Sequence, residues 1–257
     1  MMKTTLITAT HKPYFIPADS IYFPIQAGAA LHEKLEYTGD DSGENISAKN
    51  KNYCELTCLF WAWKNLDSDY IGLVHYRRHF AGKFSFDKKE RILTGTQLAP
   101  LLEKSPLILP ENRNYFIESN YSQYVHAHHE EDLVVTKAII AEKYPEYLPA
   151  FETVMKRTYG SRFNMFIMRR DLLNDYCTWL FDILFEVEKR LDISNYSNYD
   201  ARVFGFISER LLDVWVIKNQ YQPLRLPVVN LENQNFIRKA TRFLLRKLTG
   251  GKSGKGV

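Results

Sequence analysis

Residues 53–80 read YCELTCLFWAWKNLDSDYIGLVHYRRHF, and midway through them the apolar spacing changes from that of a helix to that of a strand. Leu56, Leu59, Phe60 and Trp63 recur at i, i+3, i+4 and i+7, so they share one helix face and predict a helix that packs by it. After Asp67, Ser68 and Asp69 comes Tyr70-Ile71-Gly72-Leu73-Val74, too short and too rich in β-formers for another helix. Apolar throughout, it predicts a central strand of a parallel sheet. That strand runs directly into His75, Tyr76, Arg77, Arg78 and His79. In open α/β sheets ligands bind beyond the carboxyl ends of the strands, and this edge carries two guanidiniums, two imidazoles and a phenol. Such a cluster suits an anion.

Working outward, Leu6-Ile7-Thr8-Ala9-Thr10 predicts an opening strand that ends on His11 and Lys12, a second cationic strand end. Residues 16–52 hold Pro17, Pro24, Gly28, Gly39 and Gly43 and read as a long loop shaped by turn residues. A charged helix is expected around 87–93, a short buried strand at Leu107-Ile108-Leu109-Pro110, and a polar aromatic loop from 112 to 124. His126, His128 and His129 follow, then helices over 130–143 and 145–158, with Pro145 in a first helical turn. Residues 163–168, FNMFIM, read as another interior strand entering a helix that buries Leu172, Leu173, Tyr176, Leu180, Leu184 and Val187. A turn at Asn195-Tyr196-Ser197-Asn198 opens a helix carrying Asp200, Arg202, Glu209 and Arg210, and Val228-Val229 closes the sheet. Alternating strands and helices imply an α/β fold: one domain with a mostly parallel central sheet flanked by helices.

At 257 residues the chain can bury a full core, and residues 1–230 are expected to form that domain, with 231–257 as a basic amphipathic helix and tail. A net charge of +4 is too mild to make nucleic acid the main partner. The three cysteines, Cys54, Cys58 and Cys177, are odd in number and fall in predicted helices, which reads as reduced, buried thiols. No apolar run reaches the ~18 to 20 residues of a membrane span, and the expected location is the cytoplasm. In residues 236–248, FIRKATRFLLRKL, Phe236, Ile237, Ala240, Phe243, Leu244 and Leu248 recur at helical spacing among five positive charges. That pattern serves either a peripheral helix on the inner face of the cell membrane or a helix docked on the domain.

Four blocks carry a resemblance: THKPY (10–14), NYCELTCLFWAWKN (52–65), DYIGLVHYRRHF (69–80), and FNMFIMRR (163–170) with FGFISERLLDVWV (204–216). In this order and spacing they resemble a bacterial family first catalogued as a domain of unknown function and attached to capsular polysaccharide and exopolysaccharide synthesis glycosyltransferases. The resemblance implies a GT-A-like fold and transfer of a hexose from a UDP-sugar donor to an oligosaccharide or lipid-linked glycan, with galactofuranose transfer linked to some members. In the GT-A class the strand equivalent to 71–74 ends in a metal-binding Asp-x-Asp. Here His75-Tyr76-Arg77 stands in its place, so the expectation is a transferase with no metal and no other cofactor, in which Arg replaces the cation on the diphosphate.

On that reading His11, Lys12, His75, Tyr76, Arg77 and Arg78 bind the donor, and the alternative for the arginines is an ion pair with Glu55 or Asp69. Tyr121, His126 and His128 are candidates for the acceptor, with a structural capping turn or a metal as the other readings of the histidines. An inverting transfer needs a carboxylate at the acceptor hydroxyl. Asp200 fits first and Glu209 second, against a helix cap and a buried ion pair respectively. Two other classes stay open: a non-catalytic glycan- or nucleotide-binding module, and a hydrolase of phosphorylated sugars.

Overall fold

The computed structural model describes residues 2–232, so residues 236–248 lie outside the described residues. The chain begins with β1 (Thr4–Thr10), β2 (Tyr22–Gln26), β3 (Thr38–Gly39), α1 (Asn50–Tyr53), α2 (Leu56–Asn65), β4 (Tyr70–His75) and β5 (Arg78–Phe80). It continues through α3 (Gly95–Leu102), β6 (Leu107–Pro110), β7 (Arg113–Asn114), α4 (Asn120–Ala127), α5 (Glu130–Lys143) and α6 (Leu148–Lys156). It closes with β8 (Tyr159–Gly160), β9 (Phe166–Arg169), α7 (Arg170–Arg190), α8 (Val203–Lys218), β10 (Leu224–Leu226) and β11 (Val228–Asn230). The central sheet runs β10-β6-β9-β4-β1-β2-β3, and every neighbouring pair is parallel except those made by β9. The chain thus has a mixed α/β fold with a mostly parallel sheet.

Because side chains alternate across a strand, each central strand feeds two cores. Ile7, Ile71, Leu73, Leu107, Leu109, Phe166 and Met168 join one core, under α2, α5, α6, α7 and α8. Leu6, Tyr70, Val74, Ile108 and Ile167 face the other, covered by α3, β5 and β11. The α2 stripe docks on α7 through rings: Trp63 stacks on Phe181 at 5.9 Å and Phe60 meets it edge-on at 5.0 Å. Gly72 is required where β4 lies between β1 and β9. A Cβ there would stand 2.5 Å from Leu6 Cδ2 and 2.9 Å from the Phe166 carbonyl.

Several local expectations change. Within the supposed loop 16–52, residues 22–26 form β2, a strand disguised by Pro24. β3 pairs only with Ile25 and Gln26, so the side of Pro24 turned from β1 needs no donor. The rest of that segment is held by Asp40, which is fully buried. Its carboxylate accepts from the Gly28 and Ala29 amides at 2.9 Å, from Thr57 Oγ1 at 2.5 Å and from Ser47 Oγ. No helix forms over 87–93: Asp87 Oδ1 takes the Lys89 amide at 2.8 Å and Ser85 Oγ the Asp87 amide at 3.2 Å, side chains competing with the helix for its donors. Residues 145–158 split into a 3₁₀ turn at Pro145–Tyr147 and α6, ending at Lys156. The strand expected at 163–168 begins only at Phe166, because Phe163 and Asn164 lie at φ 72° and 54°. Cys54 sits at the joint of α1 and α2, not inside a helix, whereas Cys58 and Cys177 are buried in theirs; all three are free thiols. Among the described residues no helix is long and apolar enough to cross a membrane.

Asp40 yields the first prediction. Asp40→Ala strands the Gly28 and Ala29 amides and the Ser47 hydroxyl without their acceptor, so the unfolding free energy in urea is expected to fall by ~3 kcal/mol or more. A loss below ~1 kcal/mol would show that water replaces the carboxylate.

Candidate functional site at the sheet edge

The carboxyl ends of β1 and β4 are adjacent in the sheet, since Ala9 pairs with His75. Tyr76 joins the two ends. Its buried ring meets His11 edge-on at 5.2 Å and Tyr14 at 4.9 Å, with Lys12 Nζ 5.1 Å and Arg77 Cζ 5.5 Å from its centroid. Burial lowers the His11 pKa first, and the charges of Lys12 and Arg77 lower it further, so the imidazole is held neutral beside two cations. Arg77 pairs with Glu232 at 2.7 Å, both half-exposed, and so has neither of the partners foreseen from sequence.

Arg78 turns to the β9 side. Its guanidinium lies over the Phe163 ring at 4.2 Å, and its buried Nε has no hydrogen-bond partner. Burial lowers its pKa, the Arg77 charge adds to this, and the carboxylates of Glu209 and Glu55 offset part of it. The same three side chains and His75 hold the turn before β9. His75 Nε2–H donates to the Phe163 carbonyl at 2.6 Å, the Phe163 amide donates to Glu209 Oε1 at 2.9 Å, and Asn164 Nδ2 donates to Glu55 Oε1 at 2.8 Å. A bulky residue at positive φ costs ~1 to 2 kcal/mol, and these contacts hold it there. Behind them Cys54, at φ 52° and ψ −129°, takes Arg202 Nε on Sγ at 3.1 Å. Burial raises the Cys54 thiol to about 11, with Glu55 adding to it, so it is protonated at neutral pH.

The sequence singled out His11, Lys12, His75, Tyr76, Arg77, Arg78 and Glu209, and all of them stand at this edge. Glu55, Asn164, Cys54 and Arg202 complete it. Glu55 was visible in the sequence as a candidate ion-pair partner of the arginines, and Asn164 only as a residue type that tolerates positive φ. His79 faces away from the edge, fully buried with its ring edge-on to Tyr22 at 5.5 Å.

Asp200 belongs to a different cluster. Its carboxylate accepts from Ser197 Oγ at 2.6 Å, lies 3.4 Å from His128 Nδ1 and 3.8 Å from His129 Nε2. Burial would raise its pKa, yet the hydrogen bonds from Ser197 and His128 outweigh it and hold the carboxyl below its ordinary value. Asp200 also sits in a 3₁₀ turn ahead of α8 rather than in the helix. The acceptor candidates scatter. His128 is enclosed, stacked on Phe206 at 4.1 Å and on Tyr199 at 5.7 Å, and so offers an acceptor no surface. His126 is exposed and paired with Glu118 at 2.8 Å, while Tyr121 OH donates to Glu130.

At this edge the His75 Nε2 carries the proton it donates to Phe163, Arg78 stands beside the Glu209 and Glu55 carboxylates, and among the described residues no three His, Cys, Asp or Glu side chains are grouped to hold a metal.

A mostly parallel α/β sheet with cations and carboxylates gathered at the carboxyl ends of β1 and β4 has its charged groups where open α/β folds bind their ligands. The family model described as "Domain of unknown function (DUF4422)" matches residues 5–220, and the chain belongs to that family. Among solved structures it is similar to the one titled "WbbM bifunctional glycosytransferase apo structure", with a TM-score of 0.83 and 33% sequence identity. That match covers 91% of this chain and 46% of the other, so the chain spans about half the length of that protein. No curated protein matches the chain.

Two buried histidines set a pH dependence. Burial pushes both His79 and His128 down to about 4, in His128 against the Asp200 hydrogen bond. An unfolded chain's imidazole titrates near ~6.5. Between those values the unfolded chain binds more protons than the folded one, so stability is present above about pH 6.5 and is lost as pH falls toward 4. For the fully buried His79 the expected slope approaches ~1.4 kcal/mol per pH unit, read from urea melts at successive pH values. His79→Phe should flatten that part of the profile, and an unchanged slope would mean the ring is already charged in the folded state.

Proposed function

We propose that this chain is a glycosyltransferase that moves a hexose from a UDP-sugar to an oligosaccharide or lipid-linked acceptor of a growing bacterial surface polysaccharide, with inversion and without a metal. The observation that carries this reading is the strand edge where Arg78 lies beside the Glu209 and Glu55 carboxylates and next to Arg77 and Lys12, in a fold shared with part of a bifunctional glycosyltransferase. Galactofuranose is the sugar that the resemblance favours, and the inner face of the membrane is where such an acceptor would be met.

In this reading the diphosphate lies against Lys12, Arg77 and Arg78, with His11 and Tyr76 forming the wall behind it. Guanidinium N–H groups match phosphate oxygens two at a time and stabilise the charge that builds as the bond from the anomeric carbon to the diphosphate breaks. Arg77 exchanges Glu232 for phosphate on donor binding. Glu209 takes the proton of the acceptor hydroxyl while the new glycosidic bond forms from the face opposite the diphosphate. We prefer it to Asp200 because Glu209, whose Oε1 accepts the Phe163 amide and whose Oε2 pairs with the buried Arg210 at 3.5 Å, stands beside Arg78 at the strand edge, whereas Asp200 lies in the separate cluster with Ser197 and the histidines. Tyr121 and His126 remain on an exposed surface available to an acceptor.

The experiment is a screen of nucleotide sugars in EDTA, read by thermal stabilisation and then by product formation. Stabilisation by UDP-sugars with turnover supports the proposal; binding without turnover turns the reading to a non-catalytic module, and free sugar as the only product turns it to hydrolysis. Activity lost in EDTA and restored by Mn²⁺ would end the metal-free mechanism. Arg77→Ala and Arg78→Ala should each weaken UDP binding by ~1.5 to 3 kcal/mol, measured by titration calorimetry. Glu209→Gln keeps an acceptor for the Phe163 amide, so donor affinity should persist while turnover drops at least ~100-fold. Should Asp200→Asn alone produce that drop, Asp200 is the base.

A further inference from the structure

Phe84 and Phe86 are 77% and 97% exposed, more than the other exposed large hydrophobics among the described residues apart from Phe116. They sit in the loop between β5 and α3, and their rings meet only edge-on, at 5.5 Å, rather than folding back on the core. The loop is built. An Ala81–Ile92 bridge closes its base, the Gly82 amide donates to the Arg91 carbonyl at 2.8 Å, and the Arg91 and Ile92 amides donate to Lys88 and Lys89 at 3.3 and 3.2 Å. Inside, Ser85 Oγ donates to Glu90 at 2.8 Å and accepts from the Asp87 amide, and Asp87 accepts from the Lys89 amide. Both acidic side chains of residues 82–91 are exposed and accept hydrogen bonds within the turn. The basic side chains are Lys83, Lys88, Lys89 and Arg91. Lys83 and Lys89 are exposed, and the Lys89 ammonium lies 4.5 Å from the ring of Phe15, which is itself 36% exposed.

A compact loop with ends this close, two aromatic rings outward and four basic side chains against two carboxylates has the complementarity of an anionic bilayer interface. We propose that residues 82–91, with Phe15 at their base, dock the protein on anionic membrane surface, Phe84 and Phe86 entering between headgroups and Lys83 and Lys89 contacting lipid phosphate. This surface is separate from the sheet-edge site and does not depend on the glycosyltransferase reading. A lipid surface fits better than a protein partner because the rings stand out convexly, with cations around them.

The test uses the full chain and vesicles of phosphatidylglycerol and phosphatidylethanolamine, with phosphatidylcholine vesicles as the neutral comparison. The wild type should co-sediment with the anionic vesicles and weakly or not at all with the neutral ones. Phe84→Ser with Phe86→Ser, a pair of exposed positions that leaves the fold intact, should weaken binding at least about tenfold. Phe86→Trp provides an independent local reading. Its added emission should shift to the blue and be quenched by bromine-labelled acyl chains when vesicles are present. Several results would overturn the proposal: a wild type that ignores anionic vesicles, a double variant that binds them as well as wild type, or a Trp at position 86 whose emission does not respond while the protein is bound. A blue shift that grows with protein concentration in the absence of lipid would do the same, because the pair would then mediate contact between copies of the chain.

Discussion

Phe163 is where the structure's constraints meet. Its amide is held by Glu209 of α8, its carbonyl by His75 of β4 and its ring by the guanidinium of Arg78. A phenylalanine at positive φ is unfavourable by itself, so this turn exists only because three elements fix it at once. The consequence runs in both directions. The turn tells β9 where to start, and it also sets the distance between Glu209 and the cationic end of β4. Local strain and site geometry are the same feature, and relaxing the turn would move a carboxylate relative to the arginine beside it.

Around this point, burial decides which charged groups are available to a ligand. At the sheet edge the cations are unevenly paired: Arg77 has Glu232, Arg78 has a ring and two nearby carboxylates, and Lys12 has aromatic faces. In the second cluster the accounting closes. Asp132 accepts from Tyr124 OH at 2.7 Å and from Tyr196 OH at 2.6 Å, Tyr196 stacks on His129 at 4.0 Å, and Asp200 is satisfied by Ser197 and His128. A satisfied polar network rigidifies a fold. One with buried donors left over, such as Arg78 Nε, has capacity for something else. This difference separates a framework for the 195–202 turn from a site.

The shared fold covers nearly all of this chain but under half of a protein whose title describes two glycosyltransferase activities. A domain of this kind therefore occurs within a larger protein. At the sheet edge Arg77 and Arg78 follow the central strand β4 and give it its positive character.

The sequence by itself determined the elements with a strong period. The 56–65 helix, the 70–75 strand, the long amphipathic α7 and the cationic ends of β1 and β4 follow from spacing and residue type, because periodicity is a local property that burial only reinforces. It misplaced β2, where Pro24 hides a strand whose outer side has no partner to supply. It misplaced the start of β9, where positive φ at 163 and 164 is imposed by contacts 46 to 109 residues away in sequence. Tertiary structure alone decided that Glu209 stands beside Arg78 and Asp200 does not, since both lie near the beginning of the same helical region and differ only in what packs against them. It also decided that His128 is enclosed and that Glu55 belongs at the edge. A side chain's chemistry is written in the sequence, but its neighbours are set by which faces of distant elements are buried together, and that is a property of the whole fold.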